Sequence, residues 1–166
     1  MNIKKIVGYG LISIFHLDMI IKDVCETLGN GGNDNADIAM KEICAQETLL
    51  GGCKDRSVYG QGAGVTQFDR IGFLDVRKRV REKDRQKVIK RYGIDVKTVQ
   101  LRELDFNPLL AIIFTRLKYL KITAPIPITL EGRADYWKDN HNSEAGAGKP
   151  EEYVANANRL IYNEAA

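Results

Sequence analysis

Residues 109–120 form an almost wholly apolar stretch that begins directly after Asn107-Pro108. Asn is a good helix cap, and Pro is preorganised for a first helical position, so the stretch is expected to be a helix. At twelve residues it is too short to cross a bilayer. It must therefore be buried by other parts of the chain, and this demand constrains the fold more than any other feature. The remaining periodic segments are short and mostly of helical period, so they are expected to pack around it. With 166 residues, the chain is long enough to bury a core without a metal or a disulfide scaffold.

The other elements follow from punctuation. A first helix is expected over residues 3–28 and a second over residues 36–50, capped by Asp34 or Asn35 and stopped by Gly51-Gly52. Residues 54–69 read as a loop with a small hairpin. Residues 73–92 read as one basic helix, residues 130–139 as another, residues 140–148 as a polar loop, and Pro150-Glu151-Glu152 as the start of a last helix. The expected class is α+β, mainly α, with a small β-hairpin. Residues 1–20 are read as an apolar amino-terminal segment, either a secretory signal or the start of the first helix, and residues 21–166 as the domain itself.

Composition excludes several classes of function. Three cysteines and two histidines, without a C-x-x-C spacing, give no metal site, and no cofactor is expected. Cys44 and Cys53 are read either as a pair or as free buried thiols. Gly60, Gly62 and Gly64 lack the spacing of a dinucleotide loop, and no P-loop lysine follows. A cysteine hydrolase built from Cys44 or Cys53 with His141 lacks any signature around either thiol. Residues 76–91 carry nine basic side chains against two acidic ones, within a net charge of +3. That run permits a phosphate-binding face, yet aromatic interleaving is absent, and a solvated helix face accounts for it equally. No nucleic-acid partner and no stable membrane span are expected, and the chain is read as a monomer.

One residue breaks a pattern. Ala36, Met40, Ile43, Glu47 and Leu50 follow one another at steps of three or four, so Glu47 interrupts the apolar face of its helix near the carboxyl end. Burial and the negative end of the helix dipole both oppose ionisation there. A carboxyl kept protonated near neutral pH is what a general acid requires. The alternative is a glutamate at the edge of the stripe, reaching water.

The order of motifs around Glu47 is informative. Glu47-Thr48 ends a helix, and Gly64-Val65-Thr66-Gln67 follows a short loop. Asn140-His141-Asn142 and an isolated Tyr153 come later. This order resembles the soluble lytic transglycosylases, relatives of the goose-type lysozymes, and is most like their phage or prophage types. The resemblance covers about residues 24–160, with Thr in place of the usual Ser, Val and Thr in place of Leu and Met, and His141 where the family has Tyr. It implies a lysozyme-like domain that cuts peptidoglycan glycan strands at the wall, with Glu47 as acid and then base. It further implies sugar contacts from Thr48, Gly64, Val65, Gln67, His141 and Asn142. Tyr153 is expected to hold Glu47 through its phenol. Gln67 and Asn142 suit N-acetyl sugars because an amide both donates and accepts. Asp69 is either a second carboxylate, which would make the enzyme a muramidase, or a helix cap. A catalytically silent virion relative is the non-enzymatic alternative.

Overall fold

The computed structural model describes residues 8–53, 62–142 and 147–163. Within them the chain is mainly helical, with one two-stranded antiparallel sheet. The helices are α1 (Ile14–Leu28), α2 (Ala36–Thr48), α3 (Arg70–Arg79), α4 (Glu82–Tyr92), α5 (Pro108–Tyr119), α6 (Leu130–Trp137) and α7 (Pro150–Ala157). The strands are β1 (Gly62–Ala63) and β2 (Phe68–Asp69), paired Gly62 to Asp69 and Ala63 to Phe68. A short 3-10 turn, Leu101–Asp105, precedes α5.

Helix α5 is the centre of the molecule, as its composition demands. Asn107 caps it by accepting from the Leu110 amide, and Pro108 opens it. Every one of its residues except Leu109 and Lys118 is buried. It packs against α1, α2, α3 and the hairpin, while α2 also packs on α7 and α6 on α7. Arg116 is buried on this helix, where its Nε donates to the Gly29 carbonyl at 2.8 Å. That bond satisfies a charged group that would otherwise oppose burial, and it ties α5 to the end of α1.

Three elements differ from the sequence reading. Helix α1 starts at Ile14, because the Ser13 hydroxyl accepts from the His16 amide and fixes a cap there. Residues 1–7, the first third of the expected amino-terminal segment, lie outside the described residues. The basic segment is two helices, since Val80 and Arg81 take extended backbone angles. Glu82 and Asp84 then supply the acidic first turn that starts α4. Finally, α6 does not run out into a polar loop; it continues as a wider helical turn over Lys138–Asn142. Among the described residues no helix is long and apolar enough to cross a membrane. All three cysteines are free, Cys25 and Cys44 buried and Cys53 exposed, so Cys44 and Cys53 do not form a bridge.

Candidate functional site

Glu47 lies in the last turn of α2, on the buried row formed by Ala36, Met40, Ile43 and Leu50. Its side chain keeps 16% of its surface exposed, so it is enclosed but reachable. The indole Nε1 of Trp137 donates to Glu47 Oε1 at 2.8 Å. Burial pushes the carboxyl up to about 7, although the Trp137 bond and the charge of Lys118 pull the other way. A group with this titration is part protonated at neutral pH. It can give a proton to a leaving oxygen and take one back.

His141 stands beside it. Residues 137 and 141 are one helical turn apart, and the continuation of α6 through this turn aims both side chains at Glu47. The His141 Nε2 is 4.0 Å from Glu47 Oε1 and 2.8 Å from the Thr66 carbonyl. A carbonyl only accepts, so this nitrogen carries the proton and donates. Burial, then the nearby Lys118 charge, lowers the ring to about 4, which keeps it neutral. It is therefore no cationic partner for Glu47. Only 3% of the His141 side chain is exposed, so it is neither a surface histidine nor an open sugar contact. Tyr119, whose ring centroid lies 6.3 Å from that of His141, is buried beneath it.

The other predicted positions are placed differently. Thr48 is buried; its hydroxyl donates to the Val65 carbonyl at 2.8 Å and thereby clamps the hairpin turn to α2. Val65 is buried in the core. Gly64 has φ +75°, and a Cβ on it would lie 2.8 Å from the Leu104 carbonyl oxygen and from the Ala111 side chain. Its glycine is thus required by close packing against α5 and not by a sugar. These three support the site from below. Gln67, half-buried with φ +46°, uses its amide nitrogen on the Tyr9 hydroxyl at 3.1 Å and the Gly64 carbonyl at 3.0 Å. Asn142, also half-buried, accepts from Lys138 Nζ at 3.1 Å.

Tyr153 does not hold Glu47. It is buried against the Trp137 ring, at 5.4 Å between centroids, and its hydroxyl donates to Glu42 Oε2 at 3.0 Å. Glu42 is fully buried and bound by Arg133 through two bonds of 2.7 Å, with the Tyr162 hydroxyl adding a third donor at 2.6 Å. Sequence reasoning missed this cluster because Glu42 lies beside the apolar row and its partners are far along the chain. Trp137 follows Leu130 and Ala134 at steps of four and three, and its spacing of four from His141 was the available sign of a shared site.

Asp69 is engaged as a cap: its Oδ1 accepts from the Gly72 amide at 2.7 Å, and Lys118 Nζ lies 3.4 Å from Oδ2. Burial would raise its carboxyl, but the Gly72 amide and then Lys118 outweigh that and hold it below the usual range. The two carboxylates thus have opposed titrations, Glu47 up and Asp69 down.

Among the described residues no group of His, Cys, Asp or Glu could hold a metal ion. A groove of about 400 Å³ between α1 and the first half of α2 is lined by Asp18, Cys25, Asp34, Asp37 and Lys41 among others, and includes none of these site residues. No family model, curated protein or solved structure matches this chain.

Proposed function

We propose that this chain cleaves the glycan strand of peptidoglycan as a lytic transglycosylase, on a lysozyme-like helical scaffold. The observation that carries the reading is Glu47 itself: an enclosed, reachable carboxyl raised to about 7 at the end of a helix, held at one oxygen by an indole N–H. With Oε1 accepting from Trp137, Oε2 is the oxygen left to carry the proton. Glu47 donates it to the bridging oxygen, and the bond from that oxygen to the muramoyl anomeric carbon breaks. The sugar's own acetamido group supports that carbon. The Glu47 carboxylate then takes the proton of the muramoyl hydroxymethyl group, whose oxygen closes on the anomeric carbon to give an anhydromuramoyl end.

Hydrolysis would ask for a second carboxylate free to activate water. Asp69, engaged by Gly72 and Lys118, supports the single-carboxylate route instead. The test is mass analysis of fragments released from purified sacculi. Anhydromuramoyl ends are expected; reducing ends would assign a muramidase, and no release by folded protein would overturn the reading.

A further inference from the structure

The cations of residues 77–91 divide by type. All five arginines are committed. Arg77 donates to the Lys97 carbonyl and lies over the Phe73 ring. Arg79 pairs with Asp75, Arg81 with Asp84, Arg85 with Asp95 and Glu82, and Arg91 with Asp23. The lysines have no such partner among the described residues. Three of them, Lys83, Lys87 and Lys90, are exposed on α4 at steps of four and three, which places them in one row along the helix. The last two, with Thr27 and Arg91, line a basin of about 350 Å³ against α1.

Stability does not explain the row. Lys90 suits the carboxyl end of α4, but Lys83 sits in the first turn, where the helix dipole disfavours a cation. Lys83 and Lys87 also repel each other one turn apart. The neighbouring arginines pair with Asp84, Asp95, Glu82 and Asp23, which leaves the ammonium groups of the row without a carboxylate among the described residues. The one aromatic residue of α4, Tyr92, is half-buried and has its hydroxyl against Thr27, so the face offers no platform for stacking bases.

We propose that the α4 lysine row binds a flexible, base-free polyanion whose repeating charges are phosphodiesters. Such a chain can place successive phosphates along the row, with one in the basin between Lys87 and Lys90. This binding face shares no residue with the Glu47 site and does not depend on its chemistry.

The test titrates the whole protein with poly(glycerol phosphate), and separately with single-stranded DNA of equal phosphate number, over a range of salt concentrations. The triple variant Lys83→Gln, Lys87→Gln, Lys90→Gln should weaken poly(glycerol phosphate) binding about tenfold or more. The slope of log affinity against log salt should fall by about two, from three contacts at about 0.7 each. A control triple elsewhere, Arg70→Gln, Arg102→Gln, Lys149→Gln, removes the same charge and should change affinity by less than about twofold. Both triples should keep the parent's circular dichroism and melting profile. Equal weakening by both triples, absence of binding by the parent, or DNA binding as tight as poly(glycerol phosphate) would each overturn the proposal. No readout here involves glycan cleavage, so its failure and that of the Glu47 reading are separable.

Discussion

The indole N–H of Trp137 and the Oε1 of Glu47 meet at 2.8 Å, joining residues 90 positions apart in the chain. This bond fixes which carboxyl oxygen is occupied and lowers the carboxyl titration that burial raises. Trp137→Phe keeps an aromatic ring against Tyr153 but removes the donor. The Glu47 pKa should then rise further, by about half to one unit for a bond worth roughly 1 kcal/mol. The alkaline limb of the activity–pH profile should move up by that amount; an unmoved limb would show that Glu47 does not govern it.

Glu47→Gln keeps the shape and removes the proton. Muralytic activity should fall to near background with the fold intact. Stability should respond in a defined direction. The folded pKa of about 7 lies above the ordinary 4.5, so between these values the folded state holds more protons than the unfolded one. The parent therefore loses stability as pH rises through that window, by up to about 3 kcal/mol at 1.36 kcal/mol per unit. The variant should not show this loss. Thermal melts of both proteins from acid to neutral pH measure it, and parallel curves would show Glu47 to be solvated.

The Glu42 cluster predicts an asymmetric mutational response. Arg133→Met leaves a fully buried carboxylate without its cation, which should cost about 3–5 kcal/mol in urea unfolding. Adding Glu42→Leu in the same chain should recover much of that, because the uncompensated charge is gone. Additive losses would mean that the two side chains do not form a unit.

Gln67→Ala separates two roles. The amide is already bonded to Tyr9 and Gly64. If its work is to shape the hairpin turn, stability should drop by about 1 kcal/mol, and Tyr9→Phe should reproduce part of that. Asn142→Ala, whose side chain accepts from Lys138 one turn back, should leave stability within about 0.5 kcal/mol of the parent. An activity loss of about tenfold without a stability change, in either variant, would mark a substrate contact.

The fold was legible where local signals and burial agree. The apolar run with Asn107-Pro108 became α5, because period and cap chemistry act within a few residues; the Glu47 row became the inner face of α2 by period alone, since Asn35 makes no side-chain cap bond. Two positions were misread because a local signal had a competitor. Residues 76–92 continue a helical apolar pattern, yet the Glu82 and Asp84 start signal prevailed and split it. The polar sequence 140–142 resembles a loop, but burial of Trp137 and His141 over Glu47 holds it helical. The site's floor was not legible at all. Whether Tyr153 reaches Glu42 or Glu47 depends on how α7 packs on α2 and α6, and that is a property of three helices together.

The Glu42 ion pair also sets a timetable for synthesis. Glu42 leaves the ribosome 91 residues before Arg133, 111 before Tyr153 and 120 before Tyr162. At about 5–20 residues per second, the carboxylate waits roughly 5–18 s for its cation alone. Through that interval, burying the inner face of α2 would strand a charge. Closure of α2 is therefore expected to wait for α6 and α7, which bring Arg133 and Tyr153 to Glu42.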